Sequence, residues 1–417
     1  MLAGTLPPIA AIRAHFPALT RTHAGALVAY FDGPGGTQVP RAVADAMVDY
    51  LYHHNANTHW AYPTSAETDN ALASARETFA AFFNGRPDEI VFGANMTTLT
   101  MHLARALVRD WDPGDEIVVT ELDHHANIDP WVEAARDRDL VVHIVRLIPE
   151  TGQLDWEDLK TRLSRRTRLL AIGAASNAIG TVSDVACAAD LARAHGALTF
   201  VDGVHFAPHH LPDVRALGCD GFACSPYKFY GPHVGALWLR RDLLAEVDFP
   251  RLVPASHDPP ERGETGTLNH EGIVGAAAAV AWLASLAGTD GDLRARLGRT
   301  YADLHLRGAE LLDQLWTGLA DTDGVTLFGP ALDQPRTPTV AFTVDGLPSE
   351  AVARQLADAG VFVSHGDFYA YTAVARLGQQ PEGLVRAGCA CYTSADDVAQ
   401  LVAAVRSLVR GEPLHAH

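Results

Sequence analysis

Between residues 90 and 239, short β-branched apolar runs alternate with stretches of helical spacing. Residues 90–92 predict a strand, 98–109 a helix, 116–120 a strand and 128–138 a helix. Further apolar runs at 141–145, 169–172 and 198–201 predict strands. Residues 186–195, ended by Gly196, predict a helix between the last two, and 236–239 one more strand. This β-α-β rhythm predicts a largely parallel sheet covered by helices on both faces.

Beyond residue 275 the pattern changes. Residues 275–286 and 297–319 predict long helices, 339–344 a strand, 349–359 a helix, 361–364 and 384–390 strands, and 396–409 a closing helix. The expected organisation is a large domain over 30–275 and a small α+β domain built from 1–29 and 276–417. No repeat or low-complexity segment interrupts it. Gly288-Thr289-Asp290-Gly291-Asp292 is the most linker-like stretch.

The chain has 417 residues, 48% of them hydrophobic, enough for a large core. Its 32 Lys and Arg against 50 Asp and Glu give a formal charge of -18. Such a balance disfavours nucleic acid and anionic membranes as partners. No apolar run reaches spanning length; residues 274–286 come nearest. Residues 1–14 lack a charged-then-apolar signal pattern. The five cysteines form no CxxC array, which predicts reduced thiols in a cytoplasm. Twenty histidines include the neighbours His53-His54, His124-His125 and His209-His210. Adjacent residues on a strand face opposite ways and no HExxH occurs, so no metal site is expected.

Polar motifs follow the predicted strands, where open parallel sheets bind ligands. Gly93-Ala94-Asn95-Met96-Thr97-Thr98 opens a helix whose N-terminus suits a phosphate, although Asn and Thr there also serve as plain caps. Asp123-His124-His125-Ala126-Asn127 and Ser176-Asn177-Ala178-Ile179-Gly180-Thr181 each follow a strand, and taken singly each reads equally as a turn. Asp202 is different. It ends the apolar run of Leu198, Phe200 and Val201, where an unpaired charge costs several kcal/mol, so it needs a cationic partner. Lys228 follows another apolar stretch among Phe222, Tyr227, Phe229 and Tyr230. Burial there lowers an amine's pKa, whereas a lysine snorkelling from a loop is the plain alternative. A carboxylate ending one strand and an amine after another is what pyridoxal 5'-phosphate (PLP) requires. The amine forms the Schiff base, and the carboxylate keeps the ring nitrogen protonated.

The order of these pieces resembles the class V aminotransferases among the fold-type I PLP enzymes, and within them the cysteine desulfurases and selenocysteine lyases. The matching stretches are Tyr30-Phe31-Asp32, Asn57-Thr58-His59, Asp123-His124-His125-Ala126-Asn127, Ser176-Asn177, Val201-Asp202-Gly203, Ser225-Pro226-Tyr227-Lys228, Gly266-Thr267-Leu268-Asn269 and Arg386. The resemblance implies an α/β fold with a mostly parallel seven-stranded sheet. It makes Lys228 the Schiff-base lysine and Cα base, stacks His124 on the ring, and sets Asp202 at its nitrogen. It brings Asn177 and His205 to the phenolate oxygen and Met96, Thr97, Ser225 and Tyr227 around the phosphate. It sends Thr267 to the neighbouring subunit of a homodimer and gives Arg386, with Asn177, the substrate carboxylate.

Departures bear on the reaction. Desulfurases of this group carry a loop cysteine in a motif like Arg-Thr-Gly-His-His-Cys-Ala; here the stretch reads Ser364-His365-Gly366-Asp367-Phe368-Tyr369-Ala370. Tyrosine stands where the thiol belongs, and phenol accepts no sulfur as a persulfide. Cys389 and Cys391 are expected on a strand as small core residues. His205 and Tyr227 replace a glutamine and a histidine of the desulfurases and look more like kynureninases and isopenicillin-epimerase-like relatives. The expected activity is therefore β-elimination from a small amino acid without a persulfide relay at the usual place, with Tyr369 and His365 near the side chain. Transamination, epimerisation and a non-catalytic PLP-fold binding protein are the alternatives.

Overall fold

The apolar runs of the central region pair into one seven-stranded sheet in the computed structural model, which describes residues 6–412. Its strands are β1 (Ile90–Gly93), β2 (Glu116–Thr120), β3 (Val141–Val145), β4 (Thr167–Gly173), β5 (Leu198–Asp202), β6 (Gly221–Cys224) and β7 (Gly235–Leu239). They lie in the order β1-β7-β6-β5-β4-β2-β3. Every neighbouring pair is parallel except those of β7, which runs antiparallel to β6 and β1.

The period-two alternation of strand side chains divides the core. In β2, Ile117 and Val119 face a cluster with Leu103 and Leu107 of helix α2 (Met96–Leu107) and Trp131 of α3 (Asp129–Arg136). Val118 faces the other cluster, with Phe79 and Phe83 of α1 (Pro63–Phe83) and Ala188 of α4 (Val185–Ala194). Helix α2 begins two residues before its predicted start. Asn95 caps it, accepting from the Thr98 amide at 2.8 Å while the Asn95 amide donates to Thr98 Oγ1. That reciprocal pair fixes where the helix starts and what its N-terminus faces.

Downstream, α5 (His270–Ser285) and α6 (Leu293–Ala320) are joined by the linker-like stretch, which turns with Gly288 and Gly291 at φ of 80° and 88°. A four-stranded antiparallel sheet follows: β8 (Val325–Phe328), β9 (Thr339–Val344), β10 (Ser364–Gly366) and β11 (Leu384–Gly388), in the order β8-β9-β11-β10. Its core includes Phe342, Val385, Leu315 of α6, Leu356 of α7 (Ser349–Asp358) and Leu401 of α8 (Ala395–Val409). Phe31 from the N-terminal segment joins it, because Ala29–Tyr30 pairs in parallel with Val361–Phe362.

Two strand expectations need correction. Residues 361–364 are not one strand. Val361–Phe362 pairs with the N-terminal segment, whereas Ser364 starts β10 against β11, so the chain changes partners at Val363. Strand β11 ends at Gly388, and Cys389 and Cys391 lie beyond it, both buried. Among the described residues no helix is long and apolar enough to cross a membrane. The expected domain ends, 1–5 and 413–417, lie outside the described residues.

Candidate active site

The carboxyl ends of β2, β4, β5 and β6 meet the segment 32–37 and strand β11, and polar side chains converge there. Asp202, last in β5, is 7% exposed, and its Oδ1 accepts from the Val204 amide at 2.8 Å. Burial raises its pKa to about 6, against that hydrogen bond and the charge of Lys228. Lys228 closes a short 3-10 turn (Pro226–Lys228) just past β6. Its Nζ donates to the Pro34 carbonyl at 2.5 Å and lies 4.9 Å from the Tyr227 ring centre. Burial and then the Arg386 charge lower its pKa to about 7, partly opposed by Asp202 and Asp32. A lysine there carries an accessible neutral amine near neutral pH.

A second acid, Asp123, lies behind Asp202. Its Oδ1 accepts from the Gly173 amide at 2.6 Å and its Oδ2 from Asn127 Nδ2 at 3.1 Å. Burial, then the charge of Asp202, drives its pKa well above the usual carboxylate range. Its absence from the expected site is an omission: it comes just after apolar β2 much as Asp202 ends β5, and the same signal finds it.

His124 Nδ1 accepts from the Ala126 amide at 2.9 Å, which leaves the ring proton on Nε2. Burial, then the Lys228 charge, lowers its pKa to about 4, so the imidazole is a neutral flat surface. Asn177, in the turn after β4, donates from Nδ2 to the Phe368 carbonyl at 2.8 Å, and its Oδ1 is buried without a partner. His205 is 3% exposed; its Nε2 lies 3.0 and 3.1 Å from the Thr337 and Thr339 hydroxyls, and its Nδ1 has no partner.

Arg386, in the middle of β11, is 3% exposed. Its Nη1 donates to the Asn177 carbonyl at 2.6 Å, its guanidinium lies 4.1 Å from the Phe368 ring centre, and its Nε has no partner. Burial lowers its pKa to about 9 against the pull of Asp32. An unpaired guanidinium costs several kcal/mol to bury, so the pocket is poised for an anion. Asp32 itself, raised to about 6 chiefly by burial, leaves Oδ1 buried and unpartnered.

On the opposite side, Ser225 Oγ accepts from the Met96 amide at 3.1 Å, at the N-terminus of α2 where Thr97 also lies. Free amides and the positive helix end attract oxyanions. Tyr227 stacks on His233, with centroids 4.7 Å apart and planes at 18°. Across the mouth, Phe368 and Tyr369 both take φ of 58°, a region unusual for bulky residues. The His125 amide pins the Tyr369 carbonyl at 2.7 Å, and the Tyr369 ring is 74% exposed.

Two expected members stand apart. His365 is exposed on β10. Thr267 is exposed in a groove with Asn57, His59 and Trp60, whose lining includes none of the Lys228 cluster. Ser364 and Phe368 of the 364–370 loop contact Arg386, and Thr337 and Thr339 join the site unforeseen through His205.

Residues 29–401 match the family model for aminotransferase class V. The chain belongs to that family. This class V chain is 34% identical over 411 residues to a probable cysteine desulfurase of Pseudomonas aeruginosa, covering 95% of this chain and 97% of that one. It is 32% identical over 420 residues to the cysteine desulfurase of Pectobacterium carotovorum, with 97% and 98% covered. The apo structure of a cysteine desulfurase from Thermococcus onnurineus superposes with a TM-score of 0.87 at 26% identity, covering 99% of this chain and all of that one. A cysteine desulfurase from Escherichia coli gives 0.84 at 27%, covering 98% of this chain and all of that one. This class V member is a cysteine desulfurase-like enzyme, and enzymes of this kind depend on PLP.

Proposed function

We propose that the protein is a PLP-dependent lyase that removes a β-substituent from a small amino acid, without a persulfide carried on the 364–370 loop. One observation carries the reading: a buried arginine without an ion-pair partner, Arg386, shares its pocket with a lysine whose pKa lies near 7. That pair suits an α-amino acid, with the guanidinium as clamp for the carboxylate and the amine as base for the Cα proton.

The chain's residues fit the cofactor. Asp202 is a buried acid in want of a cation such as a ring N–H. Asn177 Oδ1 and His205 Nδ1 are orphaned polar atoms, and the α2 N-terminus with Met96, Thr97, Ser225 and Tyr227 suits the phosphate. When bound, PLP supplies an aldehyde that condenses with amines and a ring that takes up electrons released at Cα. Lys228 would hold the aldehyde in the resting enzyme and would then accept the Cα proton. His124 would offer its neutral face to the ring. Asp202 would keep the ring nitrogen protonated. Arg386, with Asn177 beside it, orients the carboxylate. Tyr369 donates a proton to the departing substituent, which leaves with the electrons of its bond to Cβ as the Cα–Cβ double bond forms; hydrolysis yields pyruvate and ammonia. His365, at the outer edge, lies where larger side chains would pass.

Incubating the PLP-loaded protein with cysteine, cysteine sulfinate and selenocysteine tests this. Pyruvate is the expected product. Neither pyruvate nor alanine from any of the three removes the proposal, and a stable pyridoxamine spectrum replaces it with transamination.

A homodimer belongs to the same reading. Exposed Trp60 (62%) and Leu252 (70%) line the groove that holds Thr267, and Val253, next in the chain, is 96% exposed, an apolar surface suited to a partner. In that dimer Thr267 reaches the neighbouring phosphate. The free cysteines fit a reducing cytoplasm. Light scattering at micromolar concentration should give twice the chain mass; a monomer refutes the shared site.

A further inference from the structure

Outside the Lys228 site, a cavity of about 300 Å³ lies between α6, the turn at Pro208–His210 and the segments 332–338 and 389–391. Arg336 is its most buried charged wall, 7% exposed. Its Nη1 and Nη2 donate to the Pro330 and Thr339 carbonyls, its guanidinium stacks 4.3 Å from the Trp316 ring centre, and its Nε is buried without a partner. Burial alone accounts for the lowering of its pKa to about 10; no carboxylate offsets it. His210 also lines the space, with Nε2 buried and unpartnered. Its ring stacks on Phe206 at 4.7 Å and lies 5.4 Å from that of the exposed His305. Arg307 adds a second guanidinium, held to the Cys391 carbonyl. Among the described residues Asp333 is the one carboxylate in the lining.

We propose that this cavity is a second binding site, for a small oxyanion or short carboxylate, held by Arg336 and His210 with support from His305 and Arg307. An orphaned guanidinium N–H from segment 332–338 and an orphaned imidazole nitrogen from the 208–210 turn, both in the lining of one cavity, are what an ion with several acceptor oxygens satisfies, and charge-assisted bonds of this kind are the stronger ones. The space exceeds one sulfate and accommodates a carboxylate of a few carbons. The site is independent of the lyase reading. It touches the catalytic region through segment 336–339, whose Thr337 and Thr339 hydroxyls bond His205, and through His209, which also lines the cavity and whose ring lies 5.4 Å from that of His205.

Sulfate titrated into the PLP-loaded protein, at ionic strength fixed with chloride, tests the proposal by calorimetry. Bound PLP keeps sulfate from the α2 N-terminus. An Arg386→Gln variant removes the remaining anion pocket described above. The expected result is saturable binding that survives Arg386→Gln and weakens about tenfold in His210→Ala and in His305→Ala, the loss of one charge-assisted contact. Both histidine variants should keep the wild-type PLP absorbance. Arg336→Gln should abolish binding; because Arg336 also holds two carbonyls, the exposed His305→Ala decides the matter if that variant does not fold. No saturable heat, binding lost only in Arg386→Gln, or an affinity equal in wild type and both histidine variants overturns it.

Discussion

The Tyr369 phenol lies against the His124 imidazole, with centroids 5.5 Å apart and planes inclined by 22°. Backbone geometry imposes the contact. Left-handed φ at Phe368 and Tyr369 costs of order 1 kcal/mol or more each, and bonds from Asn177 Nδ2 and the His125 amide to their carbonyls hold it. The phenol is thus presented at the mouth where the family resemblance expects a thiol. Tyr369→Phe keeps the ring and removes the hydroxyl. With general-acid catalysis contributing roughly 100-fold or more, kcat for pyruvate release should fall about 100-fold with little change in KM. A wild-type kcat reduces Tyr369 to a wall of the pocket.

Arg386 calls for the opposite kinetic signature. It contacts the substrate carboxylate in ground and transition states alike, so Arg386→Gln should act mainly through KM. A hydrogen bond to a charged group contributes about 1.5–3 kcal/mol, which places the fall in kcat/KM at about 10–100-fold. PLP absorbance should persist, since the cofactor is held elsewhere. Steady-state kinetics over a wide substrate range separates the two parameters.

Much of this architecture is legible in the chain. Strands β2, β3 and β5 announce themselves as β-branched runs, and Lys228, Asp202, His124 and Asn177 as polar residues just past apolar strands. The signal is local, so it fails where partners come from afar. Asn177 and Phe368 are bonded across 191 positions, and nothing in residues 364–370 alone foretells that Phe368 underlies Arg386. Asp32 reaches the pocket because its neighbours pair with Val361–Phe362 and it bridges to Gly388. The break at Val363 is invisible for the same reason: four apolar and small residues look like one strand until two different partners claim them.

Gly173 tests the packing behind Asp202. A methyl group there would stand 2.4 Å from Asp123 Oδ1, inside a site where Asp123 is 3% exposed. The same oxygen accepts from the Gly173 amide, so the carboxyl cannot move without losing that bond. Overpacking of this kind costs about 1–3 kcal/mol. Gly173→Ala should destabilise the protein by that amount in urea unfolding. The double variant with Asp123→Ala should be less destabilised than the two single changes added together, because one removes the other's clash. Simple additivity would show that the methyl is accommodated by backbone shift.

Three buried groups of the Lys228 site add pH-dependent terms of known sign to the stability of the PLP-free protein. Asp202 and Asp32 rise from 3.8 to about 6 on folding. Below 3.8 both are neutral in either state, and their contribution is intact; it is lost as pH climbs to 6, because only the native state then binds the extra protons. Lys228 falls from 10.5 to about 7. Above 10.5 it is neutral in both states, and its contribution is lost as pH drops toward 7, where the native state must take up a charge. Stability follows the difference in bound protons, so the contribution of these three groups is smallest between about pH 6 and 7, while buried histidines such as His124, lowered to about 4, act in the opposite sense to the two aspartates below pH 6.5. Burying a charge carries a desolvation cost, and replacing even buried ion pairs by apolar side chains of similar volume is often neutral or stabilising by about 1–4 kcal/mol. Lys228→Met should therefore stabilise the PLP-free protein most below pH 7, with the gain shrinking toward pH 10.5. Asp202→Asn should gain above pH 6 and lose its advantage below 3.8. Urea unfolding across that range measures both differences, and a Lys228→Met gain that stays constant from pH 6 to 9 would mean that folding leaves the amine's pKa where it is in solution.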